Sequence, residues 1–106
     1  MRDDIQPMKK NREAVLQQLE DNRDKIRGFG VKRLGLFGSC ARGEATQSSD
    51  LDFVVELEKK SFDVYMDLKD FLEEMFGCKV DLVLKDALKP RLREPILKET
   101  IYVQGL

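Results

Sequence analysis

Histidine is missing from all 106 residues, and cysteine occurs only at Cys40 and Cys78. Zinc needs three or four good nitrogen or sulfur ligands, so neither a structural nor a catalytic zinc centre can be assembled. Cys40 has no histidine to activate it, which turns it from a candidate nucleophile into a packing residue. Two thiols without a secretory segment fit a reducing compartment. The opening Met1-Arg2-Asp3-Asp4 lacks the apolar run of a signal peptide, and no stretch reaches membrane-spanning length. The expectation is a soluble cytoplasmic protein. Net charge is also lacking: 19 basic residues nearly balance 20 acidic ones. No global field draws the chain to nucleic acid or to an anionic membrane. Repeats, low-complexity tracts and linkers are absent, so residues 1–106 read as a single domain.

What remains is a chain that is 42% hydrophobic and 37% charged, enough for one core under a densely charged surface. The charge is uneven. Glu58 to Asp81 carries seven acids against four lysines, and Lys85 to Lys98 carries five bases against two acids. That basic tail could dock an acidic partner or attract a nucleotide, although such runs are more often solvated faces. Met8, Val15, Leu16, Leu19 and Ile26 recur at helical spacing, which predicts one helix from Pro7 to Arg27, ended by Gly28 and Gly30. Val31 to Phe37 reads as a buried strand broken by Gly38. Leu51, Phe53, Val55 and Leu57 alternate as a second strand. Phe62 to Phe76 is an amphipathic helix stopped by Gly77, and Lys79 to Leu84 a third strand with Asp81 opposite its apolar residues. Beyond Lys85, Pro90 could open a helix that Pro95 would disturb. One kinked or two short helices are expected, then an extended end at Ile101 to Val103. The fold class is α/β (α+β): a small mixed sheet with helices packed mainly on one face.

The stretch with most chemical content is Gly38-Ser39-Cys40-Ala41-Arg42-Gly43, followed by Asp50-Leu51-Asp52. Gly38 and Gly43 let the backbone turn sharply and approach a ligand. Free amides at the following turn, the Ser39 hydroxyl and the Arg42 fork all suit phosphate oxygens. No Gly-Lys-Ser/Thr follows, so the turn is not a Walker loop. On a strand, Asp50 and Asp52 point the same way, about 6–7 Å apart, and can share a cation or bridge two. If the third strand is the neighbour, Asp81 joins them. Three such anions call for a divalent ion such as Mg²⁺. Separately, a Gly-Ser turn or an Asp-x-Asp is usually only a turn or a loop edge; joined at this spacing, they point to a nucleotide-transfer site.

Gly38-Ser39-x-x-Arg42-Gly43 with Ser49-Asp50-Leu51-Asp52 resembles the signature of the DNA polymerase β-like nucleotidyltransferase superfamily. Length and the segment Lys79-Val80-Asp81-Leu82-Val83-Leu84-Lys85-Asp86-Ala87-Leu88-Lys89-Pro90 are similar, more narrowly, to the minimal nucleotidyltransferases. These are antitoxins paired with a HEPN-domain ribonuclease toxin. The resemblance runs from about Val31 onward and implies the nucleotidyltransferase fold, ATP as substrate, two Mg²⁺ ions, and AMP transfer to a toxin tyrosine that silences the toxin. It makes Asp50 and Asp52 ligands of both metals, and Asp81 a ligand of the catalytic metal and acceptor of the hydroxyl proton. Ser39 and Arg42 would hold the β- and γ-phosphates, with Gly38 and the Ser49 backbone assisting. Metal and aspartate together dispense with a histidine. Pro95 departs from the smoother tail helix that the resemblance implies.

Other readings stay open. The chain could cover the toxin sterically without catalysis, although a clamp has no need of the three carboxylates, which are expected to be buried. It could act on a small molecule, although so short a chain leaves an open site, better suited to a protein acceptor that brings its own walls. A polymerase is disfavoured by the lack of any basic template surface.

Overall fold

The computed structural model describes residues 11–45 and 50–106. Helix α1 (Arg12–Asp21) starts at Asn11, whose side chain accepts the Ala14 N–H at 2.7 Å. Pro7 and Met8, part of the expected first helix, lie outside the described residues. Within them that helix is two: at Asn22 the backbone leaves helical geometry, the side chain donates to the Gln18 carbonyl at 2.9 Å, and α2 (Arg23–Gly28) begins afresh. An asparagine that bonds back to the preceding turn competes with the helix's own ladder, which explains the break. Val15, Leu19 and Ile26 nonetheless all reach the core, as their spacing indicated.

Strand β1 (Val31–Phe37) runs into a one-turn helix α3 (Gly38–Ala41), and β2 (Leu51–Leu57) returns antiparallel to β1. Helix α4 (Phe62–Phe76) is capped by the Ser61 hydroxyl and ended by Gly77 at φ 64°, where left-handed backbone suits a residue without Cβ. It crosses over to β3 (Val80–Leu84), parallel to β2. A 3₁₀ turn (Lys85–Ala87), helix α5 (Pro90–Glu99) and β4 (Ile101–Tyr102) complete the chain. The sheet order is β3-β2-β1-β4, mixed in direction.

Alternation sorts the sheet into two faces. Leu34, Leu36, Leu51, Phe53, Val55, Val80 and Leu82 join residues of α1, α2 and α4 in one core. Phe53 and Phe76 stack at 5.9 Å between ring centres, and the Tyr65 hydroxyl donates to the Leu82 carbonyl at 2.6 Å, pinning α4 to β3. The opposite face carries Arg33, Gly35, Asp52, Val54, Glu56, Asp81 and Val83, as the strand register requires. Helices therefore cover mainly one face, as expected. Helix α5 is continuous through Pro95 rather than kinked into two pieces. Pro90 sits in its first turn, where a missing N–H costs nothing. The carbonyl that Pro95 leaves without a partner belongs to exposed Arg91, within reach of water. Among the described residues no helix is long and apolar enough to cross a membrane.

Candidate active site

The site residues gather on the sheet face opposite the main core, at the end where β1 stops and β2 and β3 begin. In the parallel ladder Asp52 stands opposite Asp81, and across the antiparallel one it stands opposite Phe37, the residue before the loop. Neighbouring strands lie about 4.8 Å apart, so the two carboxylates are lateral neighbours. Asp50 directly precedes β2; pairing with β3 starts one residue later, where the Leu51 N–H donates to the Lys79 carbonyl at 3.2 Å. The start of β3 is itself held by Glu73 of α4, which accepts the Val80 N–H at 3.0 Å.

Asp52 is half-buried, whereas Asp50 and Asp81 are exposed rather than buried as expected, because they stand at the end of the sheet where β2 and β3 begin. Burial, together with the negative charges of Asp81 and then Asp50, pushes the Asp52 carboxyl above the usual carboxylate range; Arg42 opposes this only in part. Among the described residues no three Asp, Glu or Cys side chains close into a ready cation cage. The charges of Asp81 and Asp50 that act on Asp52 are nonetheless what a cation would offset. The donor set consists of hard carboxylate oxygens at one sheet edge, short of positive charge, and it fits Mg²⁺ better than any softer ion.

The loop is shaped by its glycines. Gly38 has φ +78°, and a Cβ there would lie 2.9 Å from Asp52 Cγ and 3.1 Å from its Cβ. The position thus needs glycine both for its left-handed backbone and for the room that Asp52 takes. After α3, the Arg42 and Gly43 amides donate to the Gly38 and Cys40 carbonyls at 3.1 Å each, and the Glu44 amide returns to the Ser39 carbonyl at 2.8 Å. Cys40 and Ala41 point into the core. Burial pushes the Cys40 thiol pKa up, against the Arg12 guanidinium, so it is a packing residue as expected. Ser39, half-exposed, stays at the surface. Ser49 lies outside the described residues.

Arg42 is held by two carboxylates. Its Nε donates to Glu44 at 3.0 Å, and its Nη1 donates to both oxygens of Glu99 at 3.1 and 3.2 Å. Glu99 also accepts the Gly38 N–H at 2.7 Å. Arg12 of α1 donates to the Ala41 carbonyl at 3.1 Å and fastens the loop from the other side. Neither Arg12 nor Glu99 belongs to a sequence motif, and no spacing signal would have found them.

Residues 14–103 match the nucleotidyltransferase domain family. Protein adenylyltransferase MntA of Thermococcus cleftensis is 42% identical over 76 residues, covering 71% of this chain and 77% of the relative. A solved structure assigned as a minimal nucleotidyltransferase superposes with a TM-score of 0.76 at 38% identity, covering 86% of this chain and 94% of that one. A toxin–antitoxin crystal structure with AMP-PNP shares the fold at 22% identity, with a TM-score of 0.68, over 82% of this chain and 73% of that one. A glycine-serine loop packed against Asp52, itself register-matched with Asp81, is thus found on a fold and sequence already associated with nucleotidyl transfer: the chain belongs to the nucleotidyltransferase domain family, among its minimal nucleotidyltransferases.

Proposed function

We propose that the chain is an antitoxin that transfers AMP from ATP to a tyrosine hydroxyl of a HEPN ribonuclease toxin and so silences it. The single observation that carries this reading is the register that seats Asp52 beside Asp81 and against the Gly38 turn. Its support also includes the protein adenylyltransferase at 42% identity and the toxin–antitoxin complexes that share the fold. One of those complexes, at 20% identity, contains a tri-AMPylated HEPN toxin of Shewanella oneidensis with its MNT antitoxin.

In this reading Ser39 and Arg42 hold the β- and γ-phosphates, and Gly38 lets the backbone come close enough to help. Asp50, Asp52 and Asp81 would hold two Mg²⁺ ions, which when bound offset the charge of the triphosphate and of the leaving pyrophosphate. The acceptor oxygen attacks the α-phosphorus while the bond to the β-phosphate oxygen breaks. Asp81, exposed at the sheet edge, takes the hydroxyl proton, and pyrophosphate departs. Asp50 and Asp81 are exposed, and a site open at that edge suits a folded protein as substrate. Purified chain, its HEPN partner, ATP and Mg²⁺ should together raise the partner's intact mass by one or more AMP units, and EDTA should abolish the gain. Silencing of the partner without any mass change would refute transfer and leave steric binding as the mode of action.

A further inference from the structure

Glu99 ends α5 where its carboxylate reaches both ends of the phosphate loop, the Gly38 amide and the Arg42 guanidinium. In the β1–β4 ladder Leu36 faces Ile101 and Gly35 faces Tyr102. Continuing that antiparallel register by two residues brings position 99 level with position 38. The anchoring is close. Val103 donates its N–H to the Leu34 carbonyl at 2.9 Å, and the Thr100 hydroxyl donates to the Ile96 carbonyl at 2.7 Å. Any side chain at Gly35 would collide with Thr100.

From that fixed point Glu99 accepts the Gly38 amide with one oxygen and engages Arg42 Nη1 with both, while Glu44 takes Nε. Two carboxylates thus hold two nitrogens of one guanidinium and leave Nη2, the remaining one, outside these bonds. An acid set beside Asp50, Asp52 and Asp81 adds repulsion to a site already crowded with anions. Here it does so while bracing the first and last residues of the Gly38–Arg42 turn.

Resting on the nucleotide reading above, we propose that Glu99 is a positioning residue for that site: it orders the Arg42 guanidinium and the Gly38 backbone in the arrangement that receives the β- and γ-phosphates. A free arginine side chain populates many rotamers, and ordering it beforehand removes part of the entropic cost of binding. The benefit is confined to ligands that carry the outer phosphates, so AMP should not register it.

The test measures Mg²⁺-dependent binding of a non-hydrolysable ATP analogue and of AMP to the parent, Glu99→Ala, Glu99→Gln, Arg42→Ala and Arg42→Ala/Glu99→Ala, with a thermal melt of each. Glu99→Ala should weaken the ATP analogue about three- to tenfold, the ordering cost of one rotamer-rich side chain, and leave AMP within about twofold. In the Arg42→Ala background the same change should cost under about twofold, because the group it acts through is gone. Glu99→Gln keeps an acceptor for the Gly38 amide and loses the charge, so it should fall between parent and alanine; it serves also if the alanine variant fails to fold. Unchanged or tighter ATP binding in both Glu99 variants would overturn the inference, and tighter binding would make Glu99 a competitor for Arg42. Equal losses for ATP and AMP, or equal losses with and without Arg42, would also overturn it and reduce Glu99 to a fold brace. If Arg42→Ala alone leaves ATP binding intact, the phosphate role of Arg42 fails, and the inference fails with it.

Discussion

Gly38→Ala and Gly43→Ala form a matched pair that separates backbone strain from crowding in the active site. Both residues have left-handed backbone, φ +78° and +76°. An alanine held there costs on the order of 1–2 kcal/mol at either position. A Cβ at Gly43 would meet nothing within 4 Å, so that variant bears the strain alone. At Gly38 the new methyl would press on the Asp52 carboxylate, with Cγ at 2.9 Å and Cβ at 3.1 Å. Rotating the Asp52 side chain can move the carboxylate but not its Cβ, which is fixed to β2. Relief therefore requires both a carboxylate swung out of the site and a small shift of β1 against β2. Overpacking of this kind typically adds about 1–3 kcal/mol. Denaturant melts should place Gly43→Ala about 1–2 kcal/mol below the parent and Gly38→Ala clearly lower. Titration with ATP and Mg²⁺ should show binding retained by Gly43→Ala and largely lost by Gly38→Ala. Equal stability and equal affinity in the two variants would refute the claim that Gly38 exists to make room for Asp52.

Asp52→Asn should stabilise the chain in the absence of divalent ions. The folded-state pKa of Asp52 lies above its unfolded value, so the folded state is favoured by protonation and loses stability as pH rises through that folded pKa. The asparagine advantage should therefore be present near neutral pH and fade as pH falls below the ordinary carboxylate range; thermal melts across that interval would check it, and an advantage that grows in acid would contradict it. In transfer assays the same variant should lose on the order of 10²-fold or more in rate, as removal of a metal ligand implies. Ser39→Ala should weaken use of the triphosphate by about tenfold, one hydrogen bond to a charged group, as read from the KM for ATP. Arg42→Ala should cost more than the serine change, because it removes a charge and a fork.

The faces of the sheet were legible in the sequence because strand alternation has a period of two residues and tolerates no slip. Leu51, Phe53 and Val55 had to go one way and Asp52 the other, and so they do. The meeting of Asp52 with Asp81 stayed conditional on strand adjacency, since pairing across 29 residues leaves no local trace. The α1–α2 break escaped because the apolar period continues through it while a single Asn22 side chain diverts the backbone. Pro95 misled in the other direction: its cost is small on a helix with no buried residue. Glu99 was invisible, 61 residues from Gly38 and 57 from Arg42, and brought to them only by the register of a two-residue strand.

Covalent transfer depends most directly on Asp81. Asp81→Asn is nearly isosteric, sits exposed at the sheet edge, and relieves repulsion on Asp52, so fold and partner binding should persist. The decisive measurement is the intact mass of the HEPN partner after incubation with ATP, Mg²⁺ and either the parent or Asp81→Asn, alongside the partner's ribonuclease activity in the same tubes. The parent should give added AMP and a silenced partner. Asp81→Asn should give a formed complex, no added mass and an active ribonuclease. A partner silenced equally well by Asp81→Asn, at equal concentration and without added mass, would contradict covalent transfer.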